Sequence, residues 1–186
     1  MSLLNKRHTI YINIFTIYAA KIRIKMEKQP IVDIDERVAR AVGYFKSGYN
    51  CAQAVVMAFD DVMGLDIDHL ARLVAPFGGG MGRMREVCGT VSGMAFVAGA
   101  ICPSQNPQNL DERKANYALV QRFADEFRRE NGDIVCRRLL GLEPMVERAE
   151  TAMPSERTAE YYRKRPCAEY VGCAARIVAE YIANSH

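Results

Sequence analysis

Val87-Cys88-Gly89-Thr90-Val91-Ser92-Gly93-Met94-Ala95-Phe96-Val97-Ala98-Gly99-Ala100-Ile101-Cys102 runs without a single charged side chain. It is too short to cross a bilayer, which takes about 20 apolar residues in a helix. The spacing predicts a helix buried on every side, with Gly89, Gly93 and Gly99 letting neighbouring backbones approach closely. Such a helix is either the core of a helical domain or a dimerisation element, so a homo-oligomer stays open.

The segments on either side read as helices too. Upstream, Ile34, Val38, Ala41, Val42 and Phe45 repeat at three and four residues, with Asp33 or Asp35 as N-cap and Gly48 as stop. Asn50 caps a second helix whose stripe is Val55, Phe59 and Val62, ending at Gly64. Asp66 opens a third, with Leu70, Leu73, Val74 and Phe77 expected inside and Pro76 limiting its length. Phe77-Gly78-Gly79-Gly80-Met81-Gly82-Arg83 is a turn packed against a neighbouring helix. It is not a phosphate loop, since no strand precedes it and no Gly-Lys-Ser/Thr follows. Downstream of the Pro103–Pro107 loop, Leu110 to Glu130 is the longest helix, with Ala115, Leu119, Phe123 and Phe127 inward. Asp133 caps a short helix to Leu140, one or two more follow Pro144 and Pro154, and Pro166 opens a final one with Val171, Ala174, Val178 and Ile182 inside. The expected fold is all-α, a single compact multi-helix domain over residues 26–186 with an N-terminal extension over 1–25.

Charge divides the chain at the same place. Of 25 Lys and Arg against 22 Asp and Glu, five (Lys6, Arg7, Lys21, Arg23, Lys25) fall in residues 1–25, which hold no acid. The body keeps 20 basic and 22 acidic side chains, a net −2, unlike the clustered positive charge that phosphate contacts need, so no nucleic-acid partner is expected. Thr9 to Ala20 has the length of a signal-peptide core, but Tyr18 stands where a small residue should precede cleavage. An upstream extension before a start at Met26 is the better reading, with Ile10-Tyr11-Ile12-Asn13-Ile14 alternating as a short strand would. No membrane span and a cytoplasmic location are expected.

The six cysteines, about 3% of the chain, are too sparse for a disulfide scaffold. Four fall in the first turn of an expected helix: Cys51 after Asn50, Cys88 opening the uncharged helix, Cys136 after Asp133 and Cys167 after Pro166. Free N–H groups and the helix dipole stabilise anions there, so lowered pKa values and thiolate character are expected for all four. Cys51 shares a face with Val55, Phe59 and Val62, and Cys167 with Val171, Ala174 and Val178, so both point inward and the set can converge. Cys102 lies about 21 Å along the helix from Cys88, and Cys173 about 9 Å from Cys167 at 1.5 Å per residue, so neither intrahelical pair can close a disulfide. Those two read as buried packing residues. Free cysteine most often only packs, and no Cys-x-x-Cys occurs to indicate a thioredoxin motif or zinc knuckle. Of the three histidines, His8, His69 and His186, only His69 lies inside the domain, on a solvent face beside Asp68, which leaves no hydrolase constellation.

Phe45-x-x-Gly48-x-Asn50-Cys51-Ala52-Gln53-Ala54-Val55, the glycine turn Phe77 to Arg83, and Cys88-Gly89-Thr90-Val91-Ser92-Gly93 together resemble the C_GCAxxG_C_C family of redox-active proteins, named for its cysteines and a Cys-Gly-Ala-x-x-Gly motif. Phe123-x-x-x-Phe127, Cys136-Arg137-x-Leu139-Leu140 and Cys167-x-x-Tyr170-Val171-x-x-Ala174-Ala175 are similar to its C-terminal half. The resemblance covers about residues 34–182, and Thr90 departs from it by standing where the motif has alanine. The cysteines that match are Cys51, Cys88, Cys136 and Cys167, the four selected by helix placement. A related domain occurs in split-Soret cytochromes beside an iron–sulfur site, so the resemblance implies these four as cluster ligands.

Three chemistries use the same four residues: an iron–sulfur cluster, which takes soft thiolate ligands, a tetrahedral zinc, or a dithiol/disulfide pair without metal. A cluster or metal with redox function is the favoured expectation, its sulfurs accepting hydrogen bonds from a loop built on Gly78, Gly79, Gly80 and Gly82 and held close by Gly89 and Gly93. Its partner is an electron donor or acceptor of unknown identity. The contrasting class is a non-enzymatic accessory module with structural cysteines.

Overall fold

The computed structural model describes residues 32–142 and 152–185. The expected N-terminal extension with its strand, the helix after Pro144, and His8 and His186 lie outside the described residues. Among the described residues there are α-helices and no strand beyond one isolated bridge, so the all-α expectation holds. None of these helices is long and apolar enough to cross a membrane.

Helix α1 (Ile34–Lys46) starts at Asp33, whose carboxylate accepts the Glu36 amide at 3.0 Å, and buries Ala41 and Phe45. Helix α2 (Cys51–Met57) begins with a reciprocal capping box. Asn50 accepts the Ala52 and Gln53 amides, and Gln53 Oε1 takes the Asn50 amide at 2.9 Å. The helix expected to run on to Gly64 is broken, and α3 (Asp60–Met63) is a separate turn. The physical cause is Arg37, only 3% exposed, whose Nη1 takes the Ala58 carbonyl at 2.7 Å and whose fork grips both Asp61 oxygens at 2.5 and 2.6 Å. A carbonyl so engaged is drawn away from the helical ladder. Gly64 then closes α3 in the left-handed conformation.

Helix α4 (Ile67–Val74) is capped by Asp66 and runs into a 3-10 turn at Ala75–Phe77, where Pro76 ends it. Leu70 and Val74 are buried, but Leu73 is 63% exposed, against expectation, because this short helix meets the body along a stripe narrower than its apolar sequence. Helix α5 (Gly89–Ile101) is the uncharged segment. It is not enclosed on every side. Gly89 and Gly93 lie against α2, where a Cβ on Gly93 would sit 3.0 Å from Val55 Cβ and 3.1 Å from the Ala52 carbonyl, whereas Gly99 faces open space.

Helix α6 (Leu110–Asn131) buries Leu119, Phe123 and Phe127. Ala115, expected inward, is exposed along with Leu110 and Tyr117, because the N-terminal half of this longest helix overhangs its neighbours. Helix α7 (Cys136–Leu139) follows an Asp133 turn whose carboxylate accepts the Ile134 and Val135 amides. Helix α8 (Ala159–Lys164) and helix α9 (Cys167–Ala183) complete the order, with Pro166 at the cap of α9 rather than in its first turn. The core forms where α9 lies along α1 and α5 along α2. Gly172 meets Val38 and Val42 at the first of these seams.

Candidate thiol site

Three unrelated local structures deliver cysteines to one place. Cys51 is the first residue of α2, just after the Asn50 cap, and Cys167 is the first residue of α9. Cys88 caps α5 and Cys136 opens α7, and the two are joined by the antiparallel bridge Val87–Val135. In that bridge the Cys88 amide donates to the Ile134 carbonyl at 2.8 Å and the Cys136 amide to the Glu86 carbonyl at 2.7 Å. Side chains alternate across such a pair. Cys88 and Cys136 therefore share the inner side and are each 5% exposed, while Val87 is turned out. All four line a single cavity of about 400 Å³.

The glycine turn forms one wall of it. Gly79, Gly80 and Gly82 have positive φ, and so do Met81, Arg83 and Arg85, a conformation that non-glycine residues rarely adopt. The strained path is held by its own bonds, among them Gly82 N–H to the Pro76 carbonyl at 2.7 Å and Glu86 N–H to the Gly80 carbonyl at 3.1 Å. Gly80 has no room for a side chain, since a Cβ there would sit 2.8 Å from Cys136 Cβ. At Gly78 it would strike the Asn50 side chain at 2.5 Å, and at Gly89 it would sit 2.6 Å from Cys51 Sγ. Gly82 also lines the cavity. Its Cβ would meet no atom closer than the Pro76 carbonyl at 4.0 Å.

The thiols are not equivalent. Cys51 is held down to about 6, first by a hydrogen bond from the Cys88 thiol, then by the amides of Gly79 and of Cys51 itself and by the Arg157 charge, all against the opposing effect of burial. Cys88 is pushed well above its ordinary value because its proton is held by Cys51 and because it is buried. The buried Thr90 hydroxyl stands 3.1 Å from Cys88 Sγ, and this hydrogen bond draws the Cys88 thiol down against the other effects. Burial, then the Cys51 charge, raises Cys136, against the pull of Arg85, which hydrogen-bonds to it. Burial also pushes Cys167 up to about 12, again with Cys51 adding to the rise. The expectation of four thiolates is thus corrected to one. Once Cys51 is ionised, its charge opposes ionisation of the others in the same low-dielectric space, and a helix N-terminus does not offset that.

Cys102 and Cys173 stay apart from the cavity, but both are half-buried rather than buried. Cys173 sits in a polar network, accepting from Asn131 Nδ2 at 3.2 Å beside the Glu130–Arg176 pair. His69 is exposed and pairs with Asp66 at 2.9 Å, as a solvent-facing residue would. Arg137 is not a freely solvated charge. Its amide donates to the Arg85 carbonyl at 3.0 Å, and its guanidinium reaches Glu86 at 2.7 Å.

Sequence reasoning missed the arginines. Arg83, Arg85, Arg157 and Arg165 all line the cavity, and among its described lining residues there is no Asp, Glu, Lys or His. Arg157 lies 4.8 Å from the Phe45 ring centre and 4.7 Å from that of Tyr161, which Arg165 approaches from 5.0 Å. Tyr161 is four residues from each arginine, but no spacing in residues 155–165 announces the cavity, because the segment is placed there by contacts with Phe45 of α1 and with Arg83 of the glycine turn. Among the described residues no group of three His, Cys, Asp or Glu side chains is disposed to hold a metal ion.

Fold and site together define a class: an all-α protein in which helix-terminal cysteines meet at one arginine-lined cavity. The chain belongs to the family described as "Putative redox-active protein (C_GCAxxG_C_C)", whose model matches residues 49–181. No curated protein and no solved structure matches it.

Proposed function

We propose that this is a thiol–disulfide redox protein whose reacting pair is Cys51 and Cys88. The observation that carries the reading is the meeting of Cys51 and Cys88 at one accessible cavity, where Gly89 is packed against Cys51 Sγ and the two thiols are shifted in opposite directions, Cys51 down and Cys88 up. The Cys51 thiolate attacks one sulfur of a substrate disulfide. The S–S bond breaks, one substrate thiolate leaves and Cys51 is held in a mixed disulfide. Cys88 then passes its proton to the substrate thiolate already expelled and attacks Cys51 Sγ, which expels the second substrate thiolate and closes Cys51–Cys88. Two electrons pass from the pair to the substrate, and an external thiol restores the dithiol. Cys136 and Cys167, both held protonated, stand ready as secondary thiols on the same cavity.

A second reading is supported by a different observation, the arrival of all four cysteines at one cavity whose arginines would offset negative charge. The four thiols are the soft donors an iron–sulfur cluster takes, with Cys51, Cys88, Cys136 and Cys167 as ligands and zinc as the alternative, although among the described residues no three of them stand disposed to hold a metal ion. A bound cluster would supply one-electron transfer. The residues here would hold it, with the Gly79 amide and Arg85 directed at its sulfur ligands. Either reading takes an electron donor or acceptor as partner.

The test is anaerobic purification followed by iron, zinc and acid-labile sulfide assays, then titration with a disulfide and peptide mapping. A metal-free protein that takes up one disulfide between the Cys51 and Cys88 peptides supports the thiol pair. Four-cysteine-dependent iron and sulfide with no such disulfide would overturn it in favour of the cluster.

A further inference from the structure

The cavity that holds the cysteines has its own charge. Four arginines line it, with no acid among its described lining residues. Two of them, Arg157 and Arg165, have no carboxylate partner among the described residues. Arg157 makes only a 3.5 Å contact to the Tyr49 carbonyl and stacks on aromatic rings, and its Nη1 is buried without a hydrogen-bond partner. Arg165 lies 5.0 Å from the centre of the same Tyr161 ring. A buried guanidinium nitrogen lacking an acceptor costs free energy unless a ligand supplies one. The planar fork of arginine matches a carboxylate bidentately. Phe45, Leu139, Leu140 and Tyr170 give the cavity apolar walls, and about 400 Å³ is the size of a small-molecule site.

We infer that the substrate of this site is a small disulfide bearing carboxylate groups, held by Arg157 and Arg165 with its S–S bond presented to Cys51. The inference rests on the thiol-pair reading and extends it to a substrate class. A carboxylate on Arg157 satisfies the orphaned nitrogen and places the anion on the side of the cavity whose charge already acts on Cys51. A cationic disulfide would meet four like charges in the same space, and a neutral one would offer the Arg157 nitrogen no charged acceptor.

The experiment uses the full chain, reduced and freed of reductant. It is mixed in separate runs with dithiodipropionate, hydroxyethyl disulfide and cystamine, which are anionic, neutral and cationic disulfides of similar size. Loss of the Cys51 and Cys88 thiols is followed by alkylation and mass spectrometry. The expected result is oxidation by the anion at least about tenfold faster than by the cation. That preference should shrink at about 1 M salt, where the screening length is about 3 Å, without vanishing, since half-buried charges are screened less than exposed ones. R157Q should lower the anion-to-neutral rate ratio, and R165E should lower it further by reversing a charge. Should R157Q lose its helical circular dichroism, R165E and the salt series carry the test. Equal rates for all three probes, or a cation preference, would overturn the inference while leaving the thiol pair intact. Failure of every probe, the neutral one included, to oxidise Cys51 and Cys88 would overturn both.

Discussion

A single sulfur sets the chemistry of this site. Cys51 ionises near 6 because Cys88, Gly79 and Arg157 all favour its anion. Its rate of iodoacetamide labelling should therefore rise to half its maximum near pH 6, two or more units below an ordinary thiol. The same shift is a statement about stability. The folded-state value lies below the unfolded one, so the contribution is fully present above about pH 8.5 and drains away as pH falls towards 6. Urea midpoints for the reduced protein should fall over that window, and C51S should flatten the slope. Thr90 offers a finer test, since the related motif has alanine there. Its hydrogen bond with Cys88 holds that thiol lower than burial alone would. T90A should lengthen the life of the Cys51 mixed disulfide about fivefold, the equivalent of one hydrogen bond of about 1 kcal/mol, and T90S should restore it. An unchanged lifetime would show that Thr90 only packs.

At the scale of elements, the two ends of α5 make opposite predictions from the same residue type. Gly89 opens the helix against Cys51 Sγ, and a Cβ there would sit 2.6 Å from that sulfur. G89A should destabilise the protein, separate the Cys51–Cys88 pair and raise the pH at which Cys51 becomes reactive. Gly99, ten residues along, has nothing within 4 Å of its would-be Cβ. G99A should stabilise the protein by about 0.5–1 kcal/mol, because only the entropy cost of a helical glycine is removed. Thermal melts of the two variants should move in opposite directions. Much at this scale was legible in sequence: Asp33, Asn50 and Asp66 cap where capping chemistry puts them, and Gly64 stops α3. The break after Met57 was not, because Val55, Phe59 and Val62 keep helical spacing straight through it.

That break belongs to the whole molecule. Arg37 reaches from α1 to the Ala58 carbonyl and Asp61, tying α1 to the α2–α3 corner through a buried guanidinium. R37M should cost about 1.5–3 kcal/mol, the range for hydrogen bonds to a charged group, read as a lower urea midpoint at unchanged slope. It should also leave the Cys51 labelling profile in place, since the α2 cap rests on Asn50 and Gln53 rather than on Arg37. The body is otherwise held by two glycine-assisted seams, α1 on α9 and α2 on α5. These seams bring Cys51 and Cys167 to the edge of the glycine turn, where the Val87–Val135 bridge delivers Cys88 and Cys136.

Local chemistry determined the helices and picked out the four cysteines, because caps, stops and apolar periods act within a few residues of chain. Cys51, Cys88, Cys136 and Cys167 stand 37, 48 and 31 residues apart, and what each becomes depends on neighbours that no spacing records. Only the tertiary structure decided that one thiol ionises while three stay protonated. It also decided that Cys173 joins a polar network on another face, and that Arg157 and Arg165 stand over the cavity. The physical reason is common to all three. Burial and electrostatic coupling depend on distance in space, and residues 155–165 carry nothing in their own order to say that they will lie beside Phe45 and a turn some eighty residues away.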